Sequence, residues 1–446
     1  MKRKIEKSFY QWFKDDLRNP LVIRGARQVG KTWLSEIIGK ELTKSVIKID
    51  FEAAPEAKSA FSTLDPTKII ADLELISSQR IDPEKSLLVL DEIQLCPGAI
   101  RALRYFKEKM PTLAVVANGS LLEFALNKEK FSFPVGRISF LYMHPMSFKE
   151  FLGAIGEERS IEEIERSSCL QPCSQIAHEK LLNLVMTYFK IGGMPAVVDS
   201  YVRSKSWLRA REIQSALLQS YRLDFPKYAT SVQVEHLENC LQKLPALIGR
   251  SIKYVNIDRE ARSRDIKAAL QLLQWAGLVN RIHPIAADGL PLAAHIYDRP
   301  GKLLLHDIGI MQAGLGGSIK PARREDLTDI HRGALAEQFV GQELIALSPE
   351  YEPAWLSYWE RGTAEATPNS QAEVDYLIAL DEKIIPIEVK SGKIGTLKSL
   401  HLFMKEKKSL LGIRVSTHPL KKEDKILSVP FYLVSEIPRL TSYIHA

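Results

Sequence analysis

From Asn19 to Glu150, five short apolar runs alternate with stretches of helical spacing: Leu21–Ile23, Val46–Phe51, Leu87–Leu90, Leu113–Ala117 and Ile138–Met143. Apolar runs of this length, bounded by turn residues, read as strands buried on both faces. Their alternation with helices predicts a parallel sheet flanked by helices. From Phe151 to about Arg211 the period is helical, broken by Ile191-Gly192-Gly193-Met194-Pro195, which reads as a tight turn between helices. Between Ile213 and Gly317 helical patterns continue. Arg262–Trp275 reads as one amphipathic helix, Gly277–Ile282 begins a strand, and Asp288-Gly289 is a hairpin-turn pair. A helix followed by a hairpin predicts a winged-helix-like unit. In the last stretch Gly333–Val340 is a helix, and Glu373–Leu380 and Ile384–Lys390 are two strands joined by a short turn. The expected fold is therefore α/β, divided into segments 1–150, 151–212, 213–320 and 321–446.

Chemistry enters where the first strand ends. Gly25-Ala26-Arg27-Gln28-Val29-Gly30-Lys31-Thr32 spells G-x-x-x-x-G-K-T between a strand and a helix, the setting a phosphate-binding loop requires. Gly25 and Gly30 let successive backbone N–H groups wrap phosphates, and the helix N-terminus adds partial positive charge. Lys31 is the expected contact to the β- and γ-phosphates, and the Thr32 hydroxyl a ligand of Mg²⁺. Sixty residues beyond Lys31, the strand Leu87–Leu90 ends in Asp91-Glu92. Asp91 is the candidate magnesium ligand, directly or through water, and Glu92 the candidate base for an attacking water. ATP and Mg²⁺ are the cofactors expected.

Composition narrows the setting. At 446 residues the chain has room for roughly three domains of ~150 residues, and 45% hydrophobic residues suffice for their cores. No apolar run approaches the ~20 residues that span a bilayer, so no membrane association is expected. Cys96, Cys169, Cys173 and Cys240 contain no C-x-x-C pair and read as reduced thiols of a cytoplasmic protein. The net charge is +7, and from Tyr201 to Leu270 there are 13 Lys/Arg against 7 Asp/Glu. That surplus of six suits a polyanion such as DNA, or an ordinary solvated helix face. Arg259, Arg262, Arg264 and Lys267 bunch at the start of the amphipathic helix as candidate phosphate contacts.

The region up to Glu150 resembles AAA-type ATPases. The resemblance implies that 151–212 is a helical lid, and that a polar residue after the fourth strand, Asn118 or else Ser120, senses the γ-phosphate. It also implies that Arg137, just before the fifth strand, is a finger reaching a neighbouring subunit's nucleotide, hence a homo-oligomer. An alternative for Arg137 is a surface salt bridge.

The C-terminal strands carry a second constellation. Asp375, a spacing of thirteen, then Glu388-Val389-Lys390 resembles the pattern of PD-(D/E)xK nucleases. Residues two apart on a strand face the same way, so Glu388 and Lys390 project together. Asp375 and Glu388 are candidate Mg²⁺ ligands, Glu337 a candidate to complete the shell, and Lys390 a group that orients or activates water. If Glu382-Lys383 is a two-residue turn, Asp381 pairs with Ile384, and Asp375 falls opposite Lys390 and diagonal to Glu388. The nuclease-like reading requires such an even turn, or a bulge.

Over its whole length the chain resembles a widespread family of prokaryotic AAA-type ATPases with a C-terminal domain of unknown function that looks nuclease-like. The likeness rests on the loop, Asp91-Glu92-Ile93-Gln94, Gly119-Ser120, Gly136-Arg137, His144–Phe151, Gly192-Gly193-x-Pro195 and the two C-terminal strand motifs. Asn118 stands where Thr is common. Two functions are expected from this reading. One is an ATPase coupled to DNA; the other is an ATP-driven switch whose C-terminal half binds a partner protein and does not cut.

Overall fold

In the five-stranded sheet the three inner strands are buried almost throughout, as strands covered on both faces must be, while the two edge strands are buried only in part. The computed structural model describes residues 1–124, 136–316, 331–361, 372–391 and 397–442. Its first sheet comprises β1 (Leu21–Arg24), β2 (Ser45–Asp50), β3 (Ser86–Asp91), β4 (Ala114–Asn118) and β5 (Ser139–Tyr142), in the order β2-β3-β4-β1-β5. All pairings are parallel, so Gly25, Asp91 and Asn118 emerge together at the carboxyl ends. The five apolar runs of the sequence are these five strands, to within a residue or two.

Alternation sorts the side chains between two cores. Leu88, Leu90 and Val115 pack with Ile69, Leu73, Ile100 and Leu103 of the helices Pro66–Ser77 and Pro97–Lys109. Leu87, Val89 and Val116 face the other way, into a core continuous with the rest of the chain. There the helix Phe148–Ile155 starts at a reciprocal cap, with Ser147 and Glu150 each satisfying the other's backbone N–H. It is followed by helices Glu158–Arg166, Gln175–Ile191 and Pro195–Ser204. The last two are bent by 119°, and among the described residues no single helix is long and apolar enough to cross a membrane.

The glycine pair at that bend is a docking point rather than a free hinge. A side chain at Gly193 would meet the Met146 carbonyl, and one at Gly192, held at φ 73°, would meet the Asp307 carboxylate. Asp307 accepts the Gly193 N–H at 2.6 Å and caps its own helix through Ile310 N–H at 3.0 Å. Wholly buried, it is pushed up to about 6 despite those donors.

The second sheet draws strands from both the third and the fourth segments. It holds eight strands in the order β12-β13-β11-β10-β9-β8-β6-β7: β6 (Val279–Ile285), β7 (Lys302–Leu305), β8 (Leu356–Glu360), β9 (Glu373–Leu380), β10 (Lys383–Val389), β11 (Gly412–Ser416), β12 (Lys421–Glu423) and β13 (Ile426–Pro430). The helix Ser263–Trp275 and the strand after it occur where the sequence places them. The strand β6, however, pairs in parallel with β8, so the ribbon β6–β7 is one end of the C-terminal sheet. The turn at Asp288-Gly289 is also wider than expected. Ala286 N–H donates to His295 O and Tyr297 N–H to Pro284 O, and the strand proper returns only at Lys302. Pro284 and Pro291 lack the N–H groups that a tight ladder across this turn would use.

One buried acid makes the packing between segments testable. Glu343 of the helix His331–Leu347 accepts the Phe148 N–H at 2.8 Å. Burial raises its carboxyl from the ordinary 4.5 to about 8. The folded state thus keeps a proton that the unfolded chain releases, so stability falls as pH rises through that window. Glu343→Gln keeps an acceptor for Phe148. It is expected to flatten the slope of Tm against pH between about 5 and 8 by one proton's worth; an unchanged slope would exclude Glu343 as its source.

Candidate functional site

The loop at the end of β1 has the backbone a phosphate cradle needs. Gly25 is at φ +144°, Gln28 at 67° and Gly30 at +101°, the last directly preceding the helix Lys31–Leu42. At Gly25 the Met143 carbonyl stands where a side chain would begin, so only glycine fits. Lys31 turns back, and its ammonium donates to Gly25 O at 2.9 Å and Ala26 O at 2.7 Å. Burial lowers it to about 8, against the pull of Glu92 and Asp91. The Thr32 hydroxyl donates to the Asp91 carboxylate at 2.9 Å, and burial raises Asp91. A hydroxyl and a carboxylate in contact beside an ammonium are the donor set of a nucleotide-bound Mg²⁺, so the residues fit that ion.

Glu92 follows Asp91 in a left-handed conformation, φ 50° and ψ 45°, which swings its side chain off the strand. Gln94 Nε2 donates to it at 2.5 Å and the Ser120 hydroxyl at 3.3 Å. Gly119 leaves room for this arrangement, since a side chain there would meet Gln94 Oε1. Asn118 is 1% exposed. Its amide oxygen accepts from Ser35 Oγ at 3.2 Å, while its Nδ2 has no partner among the described residues. A buried donor without a partner is costly unless something supplies an acceptor.

Arg137 sits at the amino ends of the strands, away from its own chain's loop, and is half exposed. It pairs with Glu108 at 3.2 Å, which Arg104 shares. Two further contacts to the loop come from segments that no local pattern marks. Arg27 donates to both oxygens of Asp224 at 2.5 and 2.6 Å, at the end of the helix Trp207–Asp224. Gly277, at φ +71°, lies so close that a side chain would meet Ala26 N–H. Beside it a cavity of about 190 Å³ opens at the carboxyl ends of the strands, lined by Gly25, Ser120, Met143, Trp275 and Gln342.

In the C-terminal sheet the predicted residues come together, with one register correction. The two-residue turn is Asp381-Glu382, both with positive φ, and Lys383 pairs with Leu380. Continuing that register puts Asp375 opposite Glu388 rather than Lys390. Asp375 accepts the Val389 N–H at 2.8 Å, and Lys390 donates to Glu388 at 2.6 Å. Glu388 is raised by burial and by Asp375 to about 7, and its second oxygen is buried without a partner among the described residues. Glu337 is raised by burial and by Asp375 to about 8.

The sequence reading missed the group at the centre. Lys302 of β7 is 1% exposed, and its ammonium contacts Glu337 at 3.3 Å, Asp375 at 3.6 Å and also Glu373. Burial would lower it, but the three carboxylates together hold it well above its ordinary value. Its only signal in the sequence is a lysine opening an apolar run. Among the described residues no group of three or more His, Cys, Asp or Glu side chains is disposed to hold a metal. As placed, these carboxylates therefore fit an ammonium rather than Mg²⁺.

Residues 17–152 match the AAA domain, and residues 182–318 and 332–432 match two domains of unknown function, DUF8612 and DUF4143. No curated protein matches this chain in sequence. Among solved structures, similarity extends to a point variant of RuvB from Thermotoga maritima, at 15% identity over 62% of this chain and 88% of that one, TM-score 0.29. It extends also to a signal transduction ATPase of Pyrococcus horikoshii (12%, 78% and 46%, TM-score 0.26) and to Hsp104 of S. cerevisiae (15%, 62% and 38%, TM-score 0.27). Of these last two the chain spans less than half the length. The domain match, together with the parallel order β2-β3-β4-β1-β5 and the loop, makes the N-terminal part of this chain an AAA-type ATPase domain.

Proposed function

We propose that this chain binds and hydrolyses ATP at the Gly25–Thr32 loop, and that the cycle is coupled to DNA. The observation that carries the hydrolytic reading is the contact of Thr32 with Asp91, beside buried Lys31 and with Glu92 next along the strand. Phosphate oxygens offer Lys31 better acceptors than the loop carbonyls it now bonds. Thr32 and Asp91 would hold the Mg²⁺ that arrives with the nucleotide, which offsets charge on the β- and γ-phosphates. Glu92 takes the proton of the attacking water, once Gln94 and Ser120 release it or turn it. The Asn118 amide offers its free N–H to the γ-phosphate, and Arg137 reaches the nucleotide of a neighbouring copy.

The DNA arm rests on the exposed Arg259, Arg262, Arg264 and Lys267 around the start of the helix Ser263–Trp275, whose apolar face is Ile266, Ala269, Leu270 and Leu273. One observation favours the second reading, an ATP-driven switch that grips a partner protein and does not cut. The ribbon β6–β7 is built into the large sheet, and its Lys302 fills the nuclease-like cluster.

Mg²⁺-dependent ATP hydrolysis measured with and without duplex and single-stranded DNA separates the two. DNA coupling predicts stimulation, with binding that weakens steeply with salt; hydrolysis indifferent to DNA would favour the protein switch. Glu92→Gln should retain nucleotide and slow hydrolysis by about 10²–10⁴-fold, whereas Lys31→Ala should lose binding of a fluorescent ATP analogue. Arg137→Ala should lower hydrolysis yet be rescued by mixing with Lys31→Ala chains, which keep the arginine. Absence of rescue would leave Arg137 to its salt bridge with Glu108.

A further inference from the structure

We infer that Lys302 is the resident cation of the C-terminal carboxylate site, an ammonium supplied by the central segment where a nuclease-like site takes a divalent ion. This rests on reading Glu337, Asp375, Glu388 and Lys390 as such a site. It adds that the site is closed to metal while Lys302 fills it.

Three independent features support it. The first is burial with convergence: Lys302 is 1% exposed, and Glu337, Glu373 and Asp375 all approach its ammonium. A surface lysine making one ion pair would gain little from it. A lysine this deeply buried persists only because several anions replace its water. The second is that the cluster has acceptor capacity left over. Glu388 is 6% exposed, and its Oε2 lies buried without a partner among the described residues, while Lys390 takes the other oxygen. The third is origin. Glu337, Glu373 and Asp375 belong to the helix His331–Leu347 and to β9, but Lys302 comes from the edge strand β7, which β6 and β8 separate from β9. Its ammonium lies 5.2 Å from the centre of the Tyr358 ring on β8. β7 is an edge strand of four residues paired with β6, all four are buried, and Gln338 bonds both the N–H and the carbonyl of Leu305, so the strand holds the ammonium in place from outside the carboxylates' own elements.

An ammonium and a divalent ion compete for the same oxygens, since both need carboxylates freed of other partners. Removing Lys302 while keeping the carboxylates should thus uncover a divalent-cation site. The test is titration of the full chain, free of nucleotide, with Mn²⁺, followed by the spin-resonance signal of free Mn²⁺. Parent chain, Lys302→Gln, Lys302→Arg and Lys302→Gln/Asp375→Asn are compared. The expected result is one additional bound Mn²⁺ per chain in Lys302→Gln, absent in the parent and in Lys302→Arg, and lost again in the double variant. Mn²⁺ should also raise the Tm of Lys302→Gln alone. Should Lys302→Gln lack a cooperative melt, Lys302→Gln/Glu373→Gln, with one anion fewer, carries the same comparison.

If the parent binds Mn²⁺ through Asp375 as tightly as Lys302→Gln does, the lysine is no competitor and this inference fails, while the metal-site reading stands. If neither the parent nor any Lys302 variant binds Mn²⁺, the carboxylates are no cation site, and both readings fall. Plasmid DNA left intact by Mn²⁺-loaded Lys302→Gln would retain the inference and dismiss cutting.

Discussion

The turn at Gly277 touches the phosphate-binding loop so closely that a single added carbon would meet the backbone of Ala26. Much of the arrangement depends on that contact. Directly after the turn β6 begins; β6 pairs with β8 on one side and with β7 on the other, and so places Lys302. Arg27 ties the other side of the loop to Asp224, a charge-assisted bond of about 1.5–3 kcal/mol in a partly buried setting. The loop is thus gripped by the segment between the ATPase sheet and the C-terminal sheet. A shift in its backbone cannot leave that segment unmoved, because packed interfaces transmit displacement rather than absorb it.

Charge is distributed accordingly. At the nucleotide end the buried cation is Lys31, held by two carbonyls and lowered to about 8, a group short of anionic partners. At the far end the buried cation is Lys302, with three carboxylates and raised. The same residue type is poised oppositely by its neighbours. Lys31 stands to gain from phosphate. Removing Lys302 would leave buried anions uncompensated, a loss of the order of 3–5 kcal/mol for a broken buried pair.

How much of this could be read from sequence follows from the range of each interaction. The loop, Asp91-Glu92 and the five parallel strands were legible because their signals are local: glycines at fixed spacing, apolar runs, and carboxylates at a strand end. The C-terminal hairpin was legible in parity but not in register. Moving a two-residue turn by one position shifts the pairing by two, which keeps Ile385 and Ile387 on their buried side, so the hydrophobic pattern cannot distinguish the two registers. The choice fell to Asp381 and Glu382, which adopt the two left-handed conformations a tight hairpin turn needs without the glycine that would have advertised it. Asp224, Gly277 and Lys302 were invisible for a different reason: each acts on partners 35 or more residues away, beyond the reach of any local pattern.

The topology also bears on what coupling would look like if ATP turnover reaches the C-terminal sheet. A separate winged domain on a linker would move as a body and leave the carboxylates untouched. Here the ribbon that approaches the loop at one end carries, at its other end, the cation that fills the carboxylate cluster. Because β6 pairs with β8 and β8 with β9, Lys302 and Asp375 stand on one sheet, and a shift at the loop reaches both through it. Coupling would require a second state, ammonium out with the anions exposed to whatever cation or partner is present, beside the one seen here with the ammonium in. The energetic cost of the second state sets how strongly nucleotide must favour it, since a ligand shifts an equilibrium only by its differential affinity for the two forms.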